Sequence, residues 1–82
     1  MLTIRDNAMV AVPQKLIEDR RIPARERSVL FTIALADKGD GITIDDLCEF
    51  EGRTKRTIRK YLKHLTECGY LEETEKGYLS NF

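Results

Sequence analysis

Six basic residues and no acidic one stand between Arg53 and Thr66: Arg53, Lys55, Arg56, Arg59, Lys60 and Lys63. On a helical wheel of about 100° per residue, Arg56, Arg59, Lys60 and Lys63 span about 100°. Ile58, Tyr61, Leu62, Leu65 and Cys68 fall within about 120° on the other side. A helix so divided buries one face and presents a row of cations on the other. The chemistry open to such a row is the neutralisation of phosphates. Arg56, near the start of the helix, is the candidate for bridging two acceptors on a base edge.

The whole chain hides this row. It has 82 residues and a formal net charge of +0, from 14 Lys and Arg against 14 Asp and Glu. Outside positions 53–66, the other 68 residues carry 8 basic and 14 acidic side chains, a net of −6. Neutrality here is a basic stripe inside an acidic shell, and the shell lowers non-specific sticking to nucleic acid. Lys55 and Arg56 also occupy a first helical turn, where the macrodipole disfavours cations by a few tenths of a kcal/mol. A phosphate near Thr54 would turn that cost into a gain.

Other chemistry is poorly supported. His64 and Cys68 share a helical face, and Cys48 could lie near them, but no fourth ligand and no Cys-x-x-Cys accompany them. Both cysteines read as small core residues. No Gly-rich phosphate loop is present. Glu72 and Glu73 are neighbours on a strand, so their side chains diverge. No enzyme, cofactor or metal is expected. The longest near-apolar run, Val29 to Ala36, is too short to span a bilayer, so no membrane partner is expected. Two cysteines and no signal-like opening point to a reducing cytoplasm.

The elements that must position the stripe follow from punctuation. One domain over 1–82 is expected, with a thin core. Residues 1–12 alternate loosely and read as an extended segment. Pro13 is placed to begin a helix of about two turns, and Pro23 restarts a second one running to about Lys38. Apolar on nearly all sides from Val29 to Ala36, that second helix reads as the central core helix, buried all round or set at an interface. Gly39-Asp40-Gly41 ends it. Ile42-Thr43 can be a very short strand. Thr43 to Asp46 is a capping box, and Ile44, Leu47 and Cys48 face one way on the short helix that follows. Gly52 stops that helix, Thr54 caps the next, and Gly69 ends it. Tyr70 to Glu73 and Tyr78 to Ser80 are strand-like, joined by a four-residue loop, Thr74 to Gly77. Phe31, Leu35 and Phe82 either cover the N-terminal segment or form a dimer patch.

The expected fold class is therefore mainly α with a small β-hairpin: a winged helix-turn-helix, with the helix-turn-helix over 43–67 and the wing over 70–80. The turn at Glu51-Gly52-Arg53 separates a short positioning helix from the recognition helix 54–67.

Three stretches carry a family resemblance: Val12 to Asp19, Ile22 to Arg27, and Thr43 to Leu71. Together they resemble the winged-helix domain of plasmid and phage replication initiators and replisome organisers. Thr54-Lys55-Arg56-Thr57-Ile58-Arg59, followed by Leu62, Leu65, Gly69, Tyr70 and Leu71, looks like the recognition segment of many bacterial winged-helix proteins. The likeness covers roughly residues 10–80. It implies binding of double-stranded DNA, with helix 54–67 in the major groove, in replication initiation or transcription regulation. Arg53, Thr54, Lys55, Arg56, Thr57, Arg59, Lys60 and Lys63 are the implied contacts, with Lys76 in the wing. A homodimer, or a replication or regulatory protein, is the implied further partner. Three departures stand out. Glu51 and Arg53 replace apolar turn residues, Pro23 replaces a Ser or Thr cap, and Glu72, Glu73 and Glu75 make the wing acidic. The competing reading is a winged helix used for protein assembly, or as a small inhibitor, without DNA binding.

Overall fold

The computed structural model describes residues 11–36 and 41–82. Within them the chain forms α1 (Gln14–Glu18), α2 (Ala24–Leu35), α3 (Ile44–Glu51), α4 (Lys55–Glu67), β1 (Leu71–Thr74) and β2 (Gly77–Ser80). The architecture is mainly helical, closed by one antiparallel hairpin. α4 is the hub: it packs on α3, α2 and β1, while α2 also meets β2. Leu16, Val29, Leu30, Ile42, Leu47, Ile58, Leu62 and Leu65 are fully buried and form one core. The expected core side of α4 is borne out, with Ile58, Tyr61, Leu62 and Leu65 buried.

Each boundary has a local cause. Thr43 Oγ1 accepts from the Asp46 N–H at 3.1 Å, and Thr54 Oγ1 accepts from the Thr57 N–H at 3.3 Å. Both are side-chain caps on otherwise orphaned amides. Gly52 ends α3 in the left-handed region, at φ 67°. Past α4, the Gly69 N–H reaches the Thr66 carbonyl and the Tyr70 N–H reaches the Leu65 carbonyl, both at 3.0 Å. That paired closure is a Schellman motif, and it turns the chain into β1.

Several expectations need correction. Pro13 sits at the N-cap position, extended, rather than as the first helical residue, whereas Pro23 is the N-cap of α2. α1 has only five residues instead of about two turns. α2 stops at Leu35, with Ala36 extended, instead of running to about Lys38. It is also not buried on all sides: Val29, Leu30 and Ile33 are buried, whereas Phe31, Ala34 and Leu35 are half-exposed. The hairpin is tighter than its polarity suggested. Thr74 pairs with Gly77, so the loop is Glu75-Lys76 alone. Thr74 belongs to the strand by its backbone, and its hydroxyl closes the turn by donating to the Gly77 carbonyl at 3.0 Å. The expectations for residues 1–10 and for Lys38 to Asp40 lie outside the described residues.

The short strand at Ile42-Thr43 is a single bridge. Ile42 and Tyr78 exchange both backbone hydrogen bonds, each at 2.9 Å. Gly77 permits this approach. At φ 151°, a Cβ there would collide with the Ile42 carbonyl.

Candidate nucleic-acid interface

Thr54 starts α4 with its hydroxyl toward the helix, and every residue of the basic row then follows from the 3.6-residue period. Since Ile58, Leu62 and Leu65 must face the core, Arg56, Arg59, Lys60 and Lys63 cannot; all four are exposed. They form no hydrogen bond or ion pair among the described residues. Four cations at close helical spacing repel one another, so an anionic partner would relieve the repulsion.

The row has a wall beside it. A polar groove of about 340 Å³ runs between α4, the start of α3 and the hairpin. Lys55 and Arg59 line it from α4, Asp45 from α3, and Glu73, Glu75, Lys76 and Tyr78 from the hairpin. The structure thus gathers Lys55, Arg59 and Lys76 at one cleft, while Arg56, Lys60 and Lys63 lie outside its lining. The Tyr78 hydroxyl donates to Glu73 Oε2 at 3.4 Å. Burial raises the Tyr78 phenol above its ordinary range, and the Glu73 carboxylate adds to the rise.

Three of the candidate residues are engaged in ways the sequence did not reveal. Lys55 Nζ lies 3.0 Å from Asp45 Oδ1, so the misplaced first-turn cation has a protein carboxylate beside it. Both side chains are largely exposed, which keeps this pair weak. Arg53 is half-buried, with its guanidinium carbon 5.9 Å from the centre of the Tyr61 ring. Its Nε is buried without a partner. Thr57 is half-buried and accepts from the Thr54 hydroxyl at 3.2 Å. Arg53 and Thr57 are therefore built into the turn, whereas Thr54, Lys55 and the row are open.

The unusual Glu51 also acquires a reason. Buried Thr32 places its hydroxyl 2.7 Å from Glu51 Oε1, tying α2 to the end of α3. His64 Nδ1 lies 2.5 Å from Oε1 of Glu26, a buried carboxylate on α2. The ring therefore meets α2 rather than the cysteines. Among the described residues no three His, Cys, Asp or Glu side chains converge as a metal cage.

Behind the site, a cluster absent from the sequence reading fixes α1 to the end of α4. Arg21 grips Asp19 through Nε and Nη2, at 2.9 and 2.6 Å, and the Tyr70 hydroxyl donates to the same carboxylate. The Arg21 hydrogen bond, then that of Tyr70, holds the Asp19 carboxyl well below the usual carboxylate range. Burial first, and the Asp19 contact second, raise the Tyr70 phenol. Lys15 Nζ lies over the Tyr70 ring at 6.0 Å.

No family model matches the chain, and no solved structure matches it significantly. No helix among the described residues is long and apolar enough to cross a membrane.

Proposed function

We propose that this chain is a winged helix-turn-helix domain that binds double-stranded DNA, with α4 laid in the major groove. The single observation that carries the reading is the exposed, unpaired row of Arg56, Arg59, Lys60 and Lys63 opposite the buried face of α4. α3 and the Gly52 turn support α4 from behind, and the hairpin stands beside it as the wing. Lys60 and Lys63 contact phosphates, and Arg56 reaches a base edge. The resemblance to plasmid and phage replication initiators supports a role in replication initiation or transcription regulation.

Titration of labelled mixed-sequence duplex with the protein at low salt tests this. Binding below about 10 µM is expected, since non-specific affinities already reach about 10⁻⁴–10⁻⁶ M at physiological salt. The acidic hairpin favours one competing reading, a winged helix used for protein assembly. No duplex binding at micromolar protein would select it.

A further inference from the structure

α2 carries a second apolar face, opposite its fully buried side, on which Ala24 and Ser28 are exposed and Phe31 and Leu35 are half-exposed, Phe31 also touching the core. On a wheel of about 100° per residue, Ala24, Ser28, Phe31 and Leu35 fall within about 60° of one another, opposite Ile33. They line an apolar groove of about 550 Å³, walled on the α3 side by Phe50, which is 49% exposed.

The groove is graded along its length. Its N-terminal half is small, at Ala24 and Ser28, and its C-terminal half is large, at Phe31 and Leu35. An antiparallel copy of the same helix fits this gradient. Leu35 then lies on Ala24 of the second copy, and Phe31 on Ser28 of the second copy. Both pairs share one register, centred between Val29 and Leu30. Small residues also let two helices approach closely.

Charge follows the same register. Arg25 and Thr32 lie on one edge of the face, about 20° apart, and a two-fold axis keeps like edges together. Glu51 sits on that edge, held through Oε1 by Thr32. Its other oxygen has no hydrogen bond, and exposed Arg25 has no partner, among the described residues. The pairing brings Arg25 within about one helical turn of Glu51 of the second copy, and symmetry makes the contact twice. The geometry points to a second copy of this chain as the occupant, in an isologous α2–α2 dimer. This inference stands apart from DNA binding.

Sedimentation equilibrium of the full chain without DNA tests it. The contact is about 18 Å long, at the small end for stable interfaces. The mass should rise from 9.5 kDa toward twice that value as protein is raised from about 10 to about 500 µM. Ser28 is exposed, so Ser28→Phe leaves the fold intact, as a thermal melt will report. It sets a second large side chain against Phe31 of the other copy and should weaken association at least about tenfold. Arg25→Glu should weaken it too. The double exchange Ser28→Phe with Phe31→Ser restores the small-to-large match and should restore the dimer. A monomer at every concentration overturns the proposal, including one whose own residues 1–10 fill the groove. So does a dimer indifferent to Ser28→Phe, or a folded double variant that stays monomeric. Should the double variant not fold, Ser28→Phe and Arg25→Glu decide.

Discussion

The Tyr70 hydroxyl donates to Asp19 Oδ2 at 2.8 Å, linking two residues 51 positions apart in sequence. Asp19 caps the end of α1, and Tyr70 follows the Schellman turn of α4. The contact therefore closes the N-terminal part of the fold onto the helix that carries the basic row. Asp19 has a lowered folded pKa, so its contribution is present above the ordinary carboxylate value and lost as pH falls through the folded one. Above about pH 4, Asp19→Asn should melt earlier than the parent by a constant margin. Below that pH the margin should shrink, because the unfolded parent takes up a proton at Asp19 that the folded parent does not. Melting curves from pH 7 to pH 2 check this, and a margin unchanged at low pH would remove Asp19 from the acid response.

Salt dependence should report how many cations meet phosphates. Each contributes about 0.9 to the slope of log K against log salt. Lys55, Arg59, Lys60 and Lys63 alone would give a slope of roughly −3 to −5. Lys55 already has Asp45 as its counterion, so binding through it releases little salt. We expect a slope of roughly −3 for the parent, steepening by about 1 in Asp45→Asn. A flat response in both proteins would end the phosphate reading.

Arg56 and Lys63 should differ in kind. Arg56 lies in the first turn of α4, the end that usually reaches base edges. Arg56→Ala should lose about 1–3 kcal/mol on a preferred site and little on random duplex. Lys63→Ala should weaken all duplexes alike. Matched titrations on selected and random DNA decide, and equal losses for both variants would refute the division.

Stability and binding should separate across α4. Leu62 is fully buried, so Leu62→Ala should cost about 2–5 kcal/mol, which can unfold so small a domain. Arg59→Ala should leave the melting temperature unchanged or raise stability by a few tenths of a kcal/mol, because it relieves repulsion from neighbouring cations. It should also weaken DNA binding. An Arg59→Ala protein that melts early makes the residue structural; one that binds as tightly as the parent makes the row a solvated face.

What could be read from the sequence was local. Thr43, Gly52, Thr54 and Gly69 each act within four residues of themselves, and each was legible. The core side of α4 was legible because one helical period governs it. The Asp19–Tyr70 contact was not, because nothing in a local window pairs residues so far apart. Glu51 and Arg53 looked like departures at a turn; their partners, Thr32 and Tyr61, come from other segments. The length of the hairpin loop was not legible, for a smaller reason. A threonine at a strand end can serve the ladder with its backbone and the turn with its hydroxyl. Thr57, which the resemblance implies as a DNA contact, is a second hydroxyl in the α4 cap.

The Ile42–Tyr78 bridge has a bearing on how such a chain can diverge. The spacing between the hairpin and the segment that leads into α3 is fixed by two backbone hydrogen bonds and the missing side chain of Gly77, none of which depends on what Glu72, Glu73, Glu75 or Lys76 happen to be. The charge shown by the hairpin and the position at which it is held are thus separately inherited. Reversing the sign of the loop would alter what the groove attracts without resetting its width. An acidic hairpin on this frame is one substitution series away from a basic one, with the glycine as the fixed point.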